Sequence, residues 1–152
     1  MEEIFSKRGF KINNGSIPKI SSELDIKDFL GAVMVRWGIN RDNYRVKPGI
    51  YAKGSPNQDS DVFVTANYKL SFDALRKSLS GLNGWILVLD TKGVNVWCAA
   101  GKGTFGNKEL VRWIREVSLD KIINHKRIIL PQLGATGVAA HKVKEETGFN
   151  VH

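Results

Sequence analysis

The sequence predicts an α/β domain with a mainly parallel sheet. Three observations carry that expectation. Trp85-Ile86-Leu87-Val88-Leu89 is apolar at every position, as in a central strand covered on both faces. From Asp61 onward, apolar runs of strand length alternate with stretches whose apolar residues recur at helical spacing. The 152 residues, 42% hydrophobic and 25% charged, suit a single core-forming domain and exclude a disordered chain.

Each element follows from local signals. Residues 1 to 30 read as a less regular lead-in. It holds Ile4-Phe5 and Phe10-Lys11-Ile12, broken by Asn13-Asn14-Gly15 and Pro18, and then a short helix from the capping-box-like Ser22-Glu23-Leu24-Asp25 through about Leu30 to Gly31. Val33, Val35 and Trp37 alternate with Ala32, Met34 and Arg36, the period of a strand. Gly38 to Ser60 has few apolar anchors besides Ile50-Tyr51 and is expected to be a long loop. Val62-Phe63-Val64-Thr65 is a buried strand, and Ser71 opens a helix with Phe72, Leu75 and Leu79 on one face and Gly81 as its stop.

After the apolar strand at 85–89, Asp90-Thr91-Lys92-Gly93 is a turn, and Val94 to Cys98 has strand composition that periodicity does not settle. Asn107 is expected to cap a helix that turns Leu110, Val111, Ile114 and Val117 inward, and Ser118 a shorter one with Ile122 and Ile123. Arg127-Ile128-Ile129-Leu130 is a further strand stopped by Pro131. Thr136 or Gly137 opens a last helix with Ala139, Ala140 and Val143 inward and Gly148 at its end, and Phe149-Asn150-Val151 starts one more strand.

Charge and cysteine usage narrow the function. Twenty-three Lys and Arg against 15 Asp and Glu give +8, which favours an anionic partner. The charge is spread evenly: 14 basic against 10 acidic residues over 1–101, and 9 against 5 over 102–152, so neither half is a basic arm. No apolar stretch approaches the ~18 residues of a membrane span, and the start lacks a signal-peptide layout, so a cytoplasmic domain is expected. The single Cys98 excludes an internal disulfide and an iron-sulfur cluster, and His125, His141 and His152 lie in unrelated contexts. Metal chemistry would have to arrive in a prosthetic group.

The passage from Asn95 to Gly106 concentrates small residues around one Trp and one Cys. Gly101-x-Gly103-x-x-Gly106 ahead of a helix matches the spacing of a dinucleotide loop, but the acidic residue some twenty positions on, Asp120, sits in a helical stretch instead of closing a strand. The other phosphate-loop pattern fails, with Val96 in place of its first Gly and Gly103 in place of its Ser or Thr. Cys98 is either a buried small hydrophobe or a nucleophile, and the second role needs His125 or His141 brought near as a base.

Asn95-Val96-Trp97-Cys98-Ala99-Ala100-Gly101-Lys102 resembles the signature of the corrinoid protein of bacterial and archaeal mercury methylation. More distantly, the domain is similar to the corrinoid domain of the corrinoid iron-sulfur protein of the acetyl-CoA pathway. Arg36-Trp37-Gly38-Ile39, Pro48-Gly49-Ile50-Tyr51-Ala52, the run from Val64 to Phe72, the run from Trp85 to Gly93, and Pro131-Gln132-Leu133-Gly134-Ala135 extend the resemblance over roughly residues 30 to 152.

The resemblance implies one Rossmann-like corrinoid (cobalamin)-binding domain over 1–152, with the motif forming a short cap helix under the corrin instead of a strand. Cys98 would supply the lower axial thiolate to cobalt, with the cofactor's dimethylbenzimidazole base held away in the protein. A soft, strongly donating thiolate suits release of a methyl group with its electron pair to a soft Hg(II) acceptor. Thr65, Asn67, the motif residues Asn95, Val96, Trp97, Cys98, Ala99, Ala100, Gly101 and Lys102, then Gly103, Thr104, Gln132, Leu133, Gly134 and Ala135 would face the cofactor. The implied activity is a corrinoid-dependent methyltransferase fed by a methyl-donor methyltransferase system and reduced by a ferredoxin-like iron-sulfur partner, with no nucleic acid expected. The membrane-embedded region of the mercury-methylation proteins has no counterpart in these residues, so an excised soluble domain or a shorter relative is expected. Two alternatives remain: a corrinoid methyl carrier of one-carbon metabolism without a mercury role, and a nucleotide or nucleic-acid binder using the glycine loop.

Overall fold

The computed structural model describes residues 10–12, 15–20 and 45–152. The expected helix from Ser22 to Leu30, the strand at 33–37, Ile4-Phe5 and the motif Arg36-Trp37-Gly38-Ile39 lie outside the described residues. In chain order the strands are β1 (Phe10–Ile12), β2 (Gly15–Ile17), β3 (Lys19–Ile20), β4 (Gly49–Lys53), β5 (Val62–Ala66), β6 (Gly84–Leu89), β7 (Arg127–Ile128) and β8 (Asn150–Val151). The helices are α1 (Lys69–Ser78), α2 (Val96–Lys102), α3 (Asn107–Glu116), α4 (Leu119–Ile122) and α5 (Ala140–Thr147), with a 3-10 segment at Gln132–Gly137. None of the helices among the described residues is long and apolar enough to cross a membrane.

All six residues of β6 are buried. That follows from its composition, because a strand apolar on both faces is stable only when both are covered. β5 pairs with it in parallel, from Val62 opposite Trp85 to Ala66 opposite Leu89. On the other side β4 runs antiparallel, with Gly49 opposite Val88, and β3 runs parallel to β4. A parallel bridge between Phe63 and Ile129, with Val64 N donating to Ile129 O at 2.9 Å and Ile129 N to Val62 O at 2.8 Å, carries the sheet on to β7. β8 then pairs in parallel with β7. The parallel strands therefore stand in the order β6-β5-β7-β8. The chain steps from β5 to one side and then crosses to the other, so its direction of winding reverses between β5 and β7.

Alternate residues of the strands feed two cores. Val62, Val64, Ala66, Trp85, Leu87 and Leu89 pack with Val96, Phe105, Leu110, Ile114, Ile128 and Val143, which places α2, α3 and α5 on one face. Ile86 and Val88 pack with Tyr51, Phe72 and Leu79, which places α1 on the other. The result is a mixed α/β domain with a mostly parallel sheet and helices on both faces.

Several elements differ from the sequence reading. Residues 38–60 are not wholly loop: β4 lies within them, with Tyr51, Ala52 and Lys53 buried. Its pairing to β6 supplies the order that its sparse apolar content does not suggest. Residues 96–102 are helix, where composition alone allowed a strand and the resemblance implied a short helix. α1 starts at Lys69, two residues before Ser71. Asn107 is the first residue of α3 and not its cap; its side-chain oxygen accepts from Ala139 N at 2.7 Å, where α5 begins. Ser118 adopts a left-handed conformation and makes no side-chain cap bond.

Leu87 is fully buried at the middle of β6. Leu87→Ala is expected to cost about 2–5 kcal/mol, read as a lowered urea midpoint at unchanged slope.

Candidate functional site

A groove of ≈ 560 Å³ opens where the winding reverses, beyond the carboxyl ends of β5 and β7. This is where open parallel sheets leave space for ligands, because the connections leaving the two strands diverge. Its walls are mainly apolar: Val64 from β5, Ala74 and Leu75 from α1, Val96 and Trp97 from α2, and Pro131 and Leu133 after β7. Thr65, Ser71, Ser78, Asn95 and Gln132 are its polar members. Two of these are already engaged within the protein. Ser78 Oγ donates to Ala74 O at 2.8 Å, and Asn95 Oδ1 accepts from Cys98 N at 2.9 Å. Trp97 and Leu133 are 68% and 63% exposed, which places two large apolar side chains in water at the rim.

The helix bearing Cys98 is built by its ends and by one packed face. Asn95 caps its first turn, which satisfies an amide that the helix itself cannot. Gly103, with φ 78, ends it in the left-handed conformation. Val96 and Ala99 are buried, and the 132–137 segment lies against the helix. That contact depends on a missing side chain. A Cβ on Gly134 would come 2.9 Å from Val96 Cγ1 and nearer still to Phe105. The opposite face carries exposed Trp97, Gly101 and Lys102 with half-buried Cys98 between them. A Cβ at Gly101 would meet nothing within 4 Å. Glycine inside a helix costs about 1 kcal/mol against alanine, and no contact among the described residues accounts for it. Open space beside the thiol fits a bulky group lying against this face.

The expected site residues divide into groups. Thr65, Asn95, Val96, Trp97, Gln132 and Leu133 line the groove. Cys98 does not; it follows Trp97 in the helix and is half-buried. Ala99 is buried, Ala100 half-buried and Gly134 buried against Phe105, so these three shape the helix contact and offer little surface. Gly103 and Ala135 are exposed, and Thr104 Oγ1 lies 3.4 Å from Ala99 O.

Asn67 is placed differently from the expectation. It is 4% exposed, and its amide is taken up by the turn at 90–93, so it does not line the groove. In that turn burial pushes the Asp90 carboxyl upward. Hydrogen bonds from the Lys92 side chain and backbone, with the charges of Lys92 and Arg112, outweigh burial and leave it below the ordinary value.

Neither candidate base reaches Cys98. His125 Nε2 lies 2.9 Å from Ser60 O, just ahead of β5, so it sits at the amino edge of the parallel strands, opposite the thiol. His141 is exposed on α5. The glycine loop also lacks the strand-turn-helix setting of a dinucleotide site: Gly101 is inside α2, Gly103 ends it, and Gly106 precedes α3. Among the described residues, no three His, Cys, Asp or Glu side chains could together hold a metal ion.

Residues 19–152 match the family model described as CO dehydrogenase/acetyl-CoA synthase delta subunit. The chain belongs to this CdhD family. It is 32% identical over 113 residues to the acetyl-CoA decarbonylase/synthase complex subunit gamma of Archaeoglobus fulgidus, covering 73% of this chain and 24% of that protein. It is 29% identical over 109 residues to the corrinoid/iron-sulfur protein large subunit of Moorella thermoacetica, covering 70% of this chain and 24% of that one. The gamma subunit of Methanocaldococcus jannaschii is 28% identical over 131 residues. The chain spans about a quarter of the length of these CdhD-family relatives.

Within this CdhD-family domain, Leu75, Ala74 and Ser78 of α1 are groove residues that sequence reasoning missed, because they stand on the helix face beside the one that Phe72 and Leu79 bury. Gly134→Ala is expected to push the 132–137 segment off α2, costing about 1–3 kcal/mol. The check is a lowered melting temperature with altered near-ultraviolet signal from Trp97, against a Gly101→Ala control that leaves the melting temperature unchanged or raised.

Proposed function

We propose that the chain is a corrinoid-binding methyl carrier domain of the acetyl-CoA-pathway type. The observation that carries this reading is the open face of α2, where Cys98 stands beside Gly101 next to an apolar groove at the winding reversal. Membership of the family, and the similarity to a corrinoid/iron-sulfur protein large subunit, support it. When bound, a corrinoid supplies a cobalt that accepts and releases methyl groups. Cys98 would be the lower thiolate ligand, and the capped first turn of α2 would hold its sulfur in place. Trp97 and Leu133 would lie against the ring edge, trading their exposure for contact. The groove would take the cofactor's displaced base, an aromatic group suited to its apolar walls. Lys102 would meet the polar periphery. The whole of 1–152 would act as one such domain, with a methyl-donor methyltransferase and a ferredoxin-like reductant as partners.

A second reading concerns the acceptor. The run from Asn95 to Lys102, with its Trp97-Cys98 centre, favours methyl transfer to inorganic Hg(II), giving methylmercury, because a soft donor under cobalt suits a soft metal acceptor. Incubation of the methylcobalamin-loaded domain with Hg(II) separates the two readings: methylmercury formation that depends on Cys98 supports mercury chemistry, and its absence leaves the carbon-pathway carrier.

The ligand assignment is tested by titrating the domain with aquocobalamin. The wild type is expected to show a sulfur-ligated visible spectrum, and Cys98→Ala, at a half-buried position, to fold normally and lose that spectrum. An unchanged spectrum in Cys98→Ala would show that the thiol is not the ligand.

A further inference from the structure

The buried amide of Asn67 and the helix that carries Cys98 are joined through one turn, residues 90–93. Asn67 Oδ1 accepts from Thr91 N at 3.0 Å and from Gly93 N at 2.9 Å, and the Thr91 hydroxyl lies 2.9 Å away. Its Nδ2 donates to Asp90 Oδ1 at 3.3 Å. Two backbone N–H groups aimed at one atom fix the amide's orientation, since the flipped amide would set donor against donor. The Thr91 hydroxyl also reaches Val94 O at 2.7 Å, and Val94 N donates back to Thr91 O at 3.1 Å. Asn95 follows directly and caps Cys98 N.

The turn needs such an anchor. Lys92 has φ 59 and Gly93 φ 72, two successive left-handed residues, and the first is a conformation that L side chains disfavour. The Arg45 side chain occupies the space where a Cβ of Gly93 would stand. Asn67 is itself fixed to the sheet, its N–H donating to Leu89 O at 3.0 Å and its carbonyl accepting from Val46 N at 2.9 Å. It also stands two residues beyond Thr65 in the groove wall. α2 joins no strand ladder, so its start is referenced to the sheet through this turn.

We propose that Asn67 is a positioning residue for Cys98, setting where the thiol stands relative to the groove while touching no ligand itself. What the thiol meets rests on the corrinoid reading above; the tether does not.

Three variants test this. Asn67→Asp keeps the acceptor for the turn amides but sets a carboxylate against Asp90. Asn67→Asp combined with Asp90→Asn restores a donor between the two side chains with the roles exchanged. Thr91→Val removes the hydroxyl, and with it the contacts to Val94 O and Asn67 Oδ1, while leaving the two backbone N–H bonds to Asn67 in place. Two readouts are taken beside the melting temperature: the alkylation rate of Cys98 in the cofactor-free protein, where it is the sole thiol, and the affinity for aquocobalamin. Asn67→Asp is expected to change the alkylation rate at least about threefold and weaken aquocobalamin about tenfold, the scale of one charged hydrogen bond. The double variant should return both to within about twofold of wild type, and Thr91→Val should reproduce part of the loss.

A lowered melting temperature with wild-type alkylation and affinity would overturn the proposal and leave Asn67 a stabiliser of the turn. If Asn67→Asp does not fold, Thr91→Val decides by the same readouts. If wild type takes up no cobalamin, the corrinoid reading fails, and the alkylation rates alone decide whether Asn67 places the thiol.

Discussion

The parallel pairing of β5 with β6 is the constraint on which the rest of the structure depends. Both faces of β6 are buried along its whole length, so this strand has no side chain to offer a ligand. The groove is accordingly lined by the end of β5 and by the segments that leave the carboxyl ends of β5 and β7. Because β7 lies on the far side of β5 from β6, the segments after β5 and β7 part there and leave the groove. The groove is thereby built mainly from the connections, with Val64 and Thr65 at the end of β5 completing it.

Among those connections, α2 is held by small residues and polar anchors as well as by buried Val96 and Ala99. α2 has seven residues, too few for intrinsic helical stability in water. Its persistence rests on the Asn95 cap, on the close approach of Gly134 and on the Asn67 turn. Each leaves the outer face of the helix free of packing duties. Trp97, Cys98 and Gly101 can therefore face outward together, an arrangement that a helix buried in the usual amphipathic way would not permit.

Much of the scaffold was legible in the chain. β6 was readable because an unbroken apolar run has no stable place other than a doubly covered strand. Phe72 and Leu79 marked the inner face of α1, and Leu110, Val111 and Ile114 that of α3, because their spacing matches the helix period. β4 was not legible, since its order comes from Val88, Leu87 and Ile86 across the ladder. Periodicity did not give α2 either, although the resemblance implied a helix there: Val96 and Ala99 are too few apolar positions to tell period two from period 3.6, and the 132–137 segment against it lies some thirty residues away. Asn67 was read as facing a ligand because it follows a strand end; its capture by Thr91 and Gly93 is a contact between distant segments that no local pattern announces. The glycine spacing, already a poor match through Asp120, has a different structural basis: Gly101, Gly103 and Gly106 serve a helix interior, a helix end and a helix start.

In the proposed function the outer face of α2 would present the Cys98 thiolate to a corrinoid cobalt. X-ray absorption at the cobalt edge of the cobalamin-loaded protein tests it most directly. One sulfur bound to the metal that disappears in Cys98→Ala is expected, whereas nitrogen and oxygen neighbours alone in the wild type would rule the thiolate out.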